Sequence, residues 1–168
     1  KDTGYDARRI ATSDIYFESD SERDAARQFF RGLPYVEDVE SASYPPCIGM
    51  SGMRILNESG QSLFSSRYCV ETENYPKMMG MTMKEGRMAR ERNEAVVNET
   101  FAKTMRWGDD VVGRIVHQGN TGLGDLRVVG VLKDFHTASF YVSQQPLIVR
   151  CGRFGGSIHV RLKEPFAE

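Results

Sequence analysis

The spacing of hydrophobic and polar positions is most regular over residues 94–136, where strand, helix and β-ribbon patterns follow one another with almost no linker. Ala95, Val96 and Val97 form a short apolar strand. Asn98 stands at the N-cap, where its side-chain oxygen can accept from an otherwise orphaned amide, and Glu99 puts a negative charge at the positive end of the helix dipole. Phe101, Ala102 and Met105 form one apolar face. Gly108 is placed to end the helix in a left-handed conformation, and residues 109–115 lead into the next strand. The ribbon is expected to have its tip at residues 119–125 and to close with residues 128–135.

Upstream, residues 10–17 alternate as a strand, and Ser21 caps a helix whose third position is Asp24. Ala25, Ala26, Phe29, Phe30 and Leu33 are the expected buried stripe, with Gly32 and Pro34 ending the helix. After an acidic loop at Glu37 and Asp38, residues 39–44 resume an extended pattern, so the first unit reads as a βαβ-like or α+β lobe. The character changes after Pro45 and Pro46. Asn57, Glu58, Ser59 and Gly60 read as a turn between strands near Ile55 and Tyr68. Asn74 and Pro76 open a short helix carrying Met78 and Met79, which Gly80 stops, and residues 87–94 read as a charged surface loop. Strands near residues 147–150 and 157–162 finish the pattern, and no internal repeat is visible.

The chain has 168 residues, 40% of them hydrophobic, enough for a real core in one domain or two small lobes. Its 22 basic and 23 acidic residues leave a net charge of -1 without long runs of one sign, so nucleic acid and anionic membranes are disfavoured as partners. No window reaches the roughly 20 apolar residues of a membrane span, and no charged-then-apolar leader follows Lys1. The expectation is a cytosolic protein or a soluble piece of something larger. Cys47, Cys69 and Cys151 include no C-x-x-C pair, which does not build a zinc site, and their odd count leaves at least one thiol free.

Candidate chemistry is sparse. Gly119, Gly122 and Gly124 have neither dinucleotide-fingerprint nor Walker spacing, and read as a hairpin tip. His117, Asp134 and His136 could approach one another around a metal, but with no short-range ligand pair they read as polar surface positions, Asp134 as a strand-end turn residue. Met78, Met79, Met81, Met83 and Met88 would suit a soft metal, yet methionine also fills irregular gaps, and the cluster reads as core or interface packing. No G-x-S-x-G elbow occurs. Asn57-Glu58-Ser59 and Asn98-Glu99-Thr100 match glycosylation acceptors by coincidence. No catalytic, cofactor-binding or metal-ligating residue is assigned.

Four segments, in their order and spacing, resemble the extracytoplasmic core domain of MacB-type and FtsX-type ABC transporter permeases. The first runs from Asn74 and Tyr75 through Met79, Gly80, Met81 and Met83 to Gly86 and Arg87. Ala95-Val96-Val97-Asn98-Glu99 with Phe101-Ala102 follows, then Asp110-Val111-Val112-Gly113-Arg114-Ile115, and finally Val128-Val129-Gly130-Val131-Leu132-Lys133-Asp134-Phe135-His136. The likeness covers residues 73–146. It implies a two-lobed α+β fold, a βαβ-rich porter-like lobe with a smaller mixed β-rich lobe, inserted between the first and second membrane helices of a permease. On that pattern residues 1–46 begin the porter-like lobe, 47–145 form the mixed lobe with its β-ribbon, and 146–168 return to the porter-like lobe, cut before a second porter-type helix that residues 164–168 would start.

The resemblance further implies a non-catalytic domain on the extracytoplasmic, periplasmic side of the cell membrane, without a cofactor. It would contact substrate or an envelope partner protein and relay conformational change driven by a cytoplasmic ATPase domain or subunit. A second permease protomer is another implied partner, and the membrane is reached only through flanking helices. The alternative is an extracytoplasmic ligand-sensing domain of a membrane receptor.

Overall fold

Side-chain alternation along the strands sorts the apolar residues into separate cores. The computed structural model describes residues 3–13, 15, 17–43, 50–119, 122, 124–136, 143–152 and 157–164. In chain order its elements are β1 (Ile10–Thr12), α1 (Asp20–Arg31), β2 (Val36–Ala42), β3 (Ser51–Leu56), β4 (Ser62–Glu71), α2 (Tyr75–Met78) and β5 (Met83–Gly86). They are followed by β6 (Glu94–Asn98), α3 (Glu99–Thr104), β7 (Ile115–Gln118), β8 (Leu126–Leu132), β9 (Leu147–Cys151) and β10 (Ser157–Leu162). The fold is α+β.

Six strands close into a ring. β3 is antiparallel to β4 and β7, β7 to β8, and β6 to β9, while β8 runs parallel to β6 and β9 parallel to β4. Successive residues therefore face the inside and the outside in turn. Ala95 and Val97 of β6, Leu126, Val128 and Val131 of β8, and Ile148 of β9 join Met53, Ile55 and Val116 inside the barrel, and Phe101 and Ala102 of α3 close one end. The intervening residues Val96, Val129, Leu132, Leu147 and Val149 face outward, where Tyr75, the methionine-rich segment and Phe135 cover them. β5 pairs with β8 at residues 130–132, beyond the short β7 ladder.

The remaining strands make an antiparallel sheet in the order β1, β10, β2. Ile158 and Val160 of β10 pack with Val36 and Val39 under Ala26, Phe30 and Leu33. The alternate residues, His159 and Arg161, face α2 and the segment before β1.

Several local expectations shift. Ser19, not Ser21, caps α1 by accepting from the Glu22 amide at 3.2 Å, because only Ser19 has a glutamate at the third helical position, whose carboxylate accepts from the Glu18 amide at 3.0 Å. The helix turns accordingly: Phe29 is 66% exposed, while Arg23 is buried on the inward face with Ala26 and Phe30. Long arginine stems supply apolar cover there that a count of hydrophobic residues overlooks. The strand expected over residues 10–17 ends at Thr12, leaving Ile15 exposed, and Glu37 and Asp38 belong to β2 rather than a loop. α3 ends at Thr104, before Gly108, with Arg106 already at φ 56°. Residues 87–94 are not simply a surface loop, since Met88, Ala89 and Glu94 are buried. Pro45, Pro46, Cys47, Asn120, Thr121, Leu123 and residues 165–168 lie outside the described residues.

Candidate functional site

The polar side chains with the most built surroundings lie where the three-stranded sheet meets the barrel. β2 and β4 share one register pair, Ala42 opposite Glu71. Around it the Ser43 amide donates to the Val70 carbonyl at 2.7 Å and the Thr72 amide to the Ser41 carbonyl at 2.9 Å. Among the described residues most of that β2 edge has no strand partner, and arginines from α1 reach it. Glu40, 1% exposed, accepts from Arg27 Nη2 at 2.9 Å, Arg31 Nη2 at 2.8 Å and Thr72 Oγ1 at 2.6 Å. One carboxylate thus joins α1, β2 and the residue after β4, and charge-assisted bonds of this kind are roughly twice as strong as neutral ones.

On the same face, where His159 of β10 stands opposite Glu40, the Tyr75 hydroxyl lies 2.8 Å from Nδ1 of His159, with Tyr75 and His159 fully buried. Burial holds the His159 pKa down to about 4, so the imidazole is neutral. Burial likewise pushes the Tyr75 phenol far above its usual range, so it keeps its proton and donates to Nδ1. Nε2 then carries the ring proton, 3.4 Å from Ser157 Oγ. Beside this pair, Arg161 donates from Nε to the Met78 carbonyl at 2.9 Å, from Nη1 to the Arg8 carbonyl at 3.2 Å and from Nη2 to the Asp6 carbonyl at 2.7 Å. Asp6 is held near pKa 2, chiefly by its hydrogen bond to the Arg8 side chain. Arg161 therefore fastens β10 to α2 and to the chain before β1.

A second carboxylate closes one end of the barrel. Glu94, 1% exposed, accepts from Arg87 Nη1 at 2.9 Å and Nη2 at 2.6 Å, from Arg127 Nη2 at 3.2 Å, and from the Arg90 and Glu91 amides at 3.0 and 3.3 Å. These partners, the Arg87 hydrogen bonds first, hold its pKa near 2. Asn98 works the same way at the start of α3. Its Oδ1 accepts from the Phe101 and Leu147 amides, both at 2.9 Å, and its Nδ2 donates to the Gln145 carbonyl at 2.9 Å. The expected cap is present, and it also ties α3 to β9.

Between α3 and β5 lies an open cleft of about 540 Å³. Ala102, Val111 and Val131 form its floor, and charges of both signs its rim, with Lys84 and Glu99 paired at 2.9 Å. That pairing raises the Lys84 pKa and lowers that of Glu99.

The residues singled out in the sequence go to different places. His117 pairs with Asp125 at 2.9 Å, Asp134 accepts from the Thr100 amide and hydroxyl at 3.0 and 2.7 Å, and the His136 amide donates to the Thr3 carbonyl at 2.9 Å. Asp134 is thus a helix anchor rather than a free turn residue. Among the described residues no three His, Cys, Asp or Glu side chains gather as metal ligands. Met78, Met79, Met81 and Met88 are buried in the outer core and Met83 packs against it. Gly119 abuts the Arg54 and Leu56 side chains of β3, and Gly124 accepts through its carbonyl from Gln118 Nε2 at 2.8 Å within the ribbon. Asn57 folds back on the amides of Ser59 and Gln61, and Asn98 is buried. Cys69 is a buried thiol and Cys151 a half-buried one. Glu40, Glu94 and His159 are buried titratable groups that the sequence does not mark, because their partners sit on other elements, and Glu71 is buried by the strands that meet at it.

Comparison with known proteins gives this architecture a family. No curated protein matches the chain. Among solved structures, a domain of a putative permease protein from Porphyromonas gingivalis is similar at 19% identity and TM-score 0.58, covering 84% of this chain and 67% of that one. The periplasmic region of MacB from Actinobacillus actinomycetemcomitans is similar at 16% identity and TM-score 0.58, covering 96% and 78%. The extracellular domain of the noncanonic ABC-type transporter YknZ from Gram-positive bacteria is similar at 13% identity and TM-score 0.60, covering 94% and 84%. These likenesses establish a shared fold. Residues 3–167 also match the family described as MacB-like periplasmic core domain, and with nearly the whole chain matched it belongs to that family, as a periplasmic domain of a MacB-like ABC transporter permease.

Proposed function

We propose that this domain is a non-catalytic body that contacts substrate or an envelope partner and relays conformational change driven by a cytoplasmic ATPase domain or subunit. Membrane helices flanking the chain would supply the link to the ATPase, and a second permease protomer would stand beside it. The observation that carries the reading is the junction. Glu40, Arg161 and the Tyr75–His159 pair, on one face of the three-stranded sheet, tie it to the barrel by buried polar contacts around a single ladder pair. A relay needs such a fastening, because a flexible chain transmits displacement poorly. In its support, the polar groups that might otherwise perform chemistry are engaged in holding elements together. The division into residues 1–46, 47–145 and 146–168 belongs to this proposal.

The test is Arg161→Met in the reconstituted full transporter. ATP binding should persist while transport and partner-stimulated hydrolysis fall together. Wild-type rates of both, with the domain still folded by circular dichroism, would remove the relay. A second reading, a ligand-sensing domain, draws on the cleft beside α3. The full reading frame separates the two: one helix before and three after this chain mark a permease, and a signalling domain after the second helix marks a sensor.

A further inference from the structure

Glu71 is 2% exposed, yet it lacks the charged partners that Glu40 and Glu94 have. Among the described residues its Oε1 accepts only from the Cys69 thiol at 3.4 Å, and its Oε2 has no hydrogen-bond partner. Its position is singular in the topology. Glu71 is opposite Ala42 on β2 and Cys151 on β9, so three strands meet at this residue. It lies on the outer side of the barrel wall with Cys69, whose neighbours include Tyr75 and Val149.

Among the described residues, the groups that face Glu71 bring no compensating charge. Cys69 comes from β4 itself, Cys151 from β9 and Tyr75 from α2. His159 of β10 is reached through Tyr75 and is neutral, and the Tyr5 phenol approaches Tyr75 from the chain before β1. Of the arginines on the adjoining elements, Arg27 and Arg31 are bound to Glu40, Arg161 to backbone carbonyls and the Asp6 carboxylate, and Arg150 donates to Tyr68 and the Arg92 carbonyl. An ionised carboxylate here would be buried without a counter-charge among the described residues, which is costly unless water enters.

We infer that Glu71 is a proton-operated clasp: with its proton on, β2, β4 and β9 meet in a dry junction, and loss of the proton admits water there and loosens the three-stranded sheet from the barrel. Burial pushes the carboxyl up to about 7, so the change falls within an ordinary extracytoplasmic pH range. The sign follows from proton linkage. The closed junction holds a proton that the opened one, titrating near the ordinary 4.5, gives up, so opening becomes easier as pH rises from 4.5 to 7 and levels off above. The clasp is a property of this chain, whether or not the domain relays movement.

Hydrogen exchange of the chain, corrected for intrinsic rates, tests it. Between pH 5.5 and 8 the opening equilibrium of peptides spanning residues 36–43 and 66–72 should increase roughly 30-fold, and peptides within β7 and β8 should not follow. Glu71→Gln should abolish the rise. A rise that persists in Glu71→Gln, a flat wild-type profile, or a uniform rise across the whole chain would each overturn the clasp. Carbon-13 NMR of the wild-type Glu71 carboxyl gives a reading that needs no variant: a midpoint near 7 supports the clasp, and one near the ordinary 4.5 overturns it.

Discussion

Replacing Phe101 and Phe29 separately by alanine should give opposite outcomes from the same chemical change. Phe101 is fully buried inside the barrel, edge-on to Phe64 with centroids 5.6 Å apart and tilted against Trp107 at 5.7 Å. Truncating a buried phenylalanine costs about 3–5 kcal/mol, and each well-placed aromatic neighbour adds about 0.5–1.5 kcal/mol beyond area. The barrel wall is hydrogen-bonded all round and cannot collapse into the space, so Phe101→Ala should lose about 5 kcal/mol. Phe29 is 66% exposed and meets Phe30 edge-on at 5.6 Å, so Phe29→Ala should lose less than about 1 kcal/mol. Urea melts read the difference. With m near 2 kcal/mol/M, the Phe101→Ala midpoint should fall by about 2.5 M and the Phe29→Ala midpoint by no more than about 0.5 M. A Phe101→Ala loss below about 2 kcal/mol would refute the closed, packed barrel, and a Phe29→Ala loss above that figure would refute the observed phase of α1.

Gly86 sits at φ 70°, and a Cβ there would drive into the Val129 carbonyl and lie 2.8 Å from the Gly130 Cα, so Gly86→Ala should cost at least about 4 kcal/mol and much of the soluble yield. Gly60, at φ 79° with open space around it, should lose only about 1–2 kcal/mol as alanine in the same urea melts. Asn98→Ala removes the α3 cap and strands the Leu147 amide and Gln145 carbonyl, a loss of about 3 kcal/mol, and Asn98→Asp should recover the acceptor half of it. The folded pKa of His159, about 4, lies below its ordinary 6.5, so its contribution is complete above pH 6.5 and is lost as pH falls towards 4. Wild type should weaken relative to His159→Gln by about 3 kcal/mol across that window, and a constant difference would show that the ring is not held neutral.

What the sequence discloses is mostly what is local. The strand at residues 95–97, the Asn98 cap and the apolar face of α3 are decided within a few residues, and the structure has them there. The phase of α1 was not legible, because it depends on Arg27 and Arg31 finding Glu40 across the open edge of β2. Ring closure is further still from local reach, since the β4–β9 ladder joins residues about 80 apart and a parallel pair leaves no turn to mark it. The same holds for the buried polar groups. Glu94 reads as one more charge in an arginine-rich stretch until Arg87 and Arg127 are seen converging on it, and Tyr75 meets His159 only through the packing of α2 on β10.

The central claim, that barrel and three-stranded sheet move as one fastened body in the working transporter, is tested most directly by a distance. Leu63 on β4 and Phe29 on α1 are both exposed and tolerate spin labels at cysteine substitutions, with the native cysteines replaced by alanine. Pulsed electron resonance on the reconstituted transporter at pH 6 should give one narrow distance distribution, the same in the ATP-free and nucleotide-trapped states. A broad distribution, or one that shifts between the two states, would contradict the account.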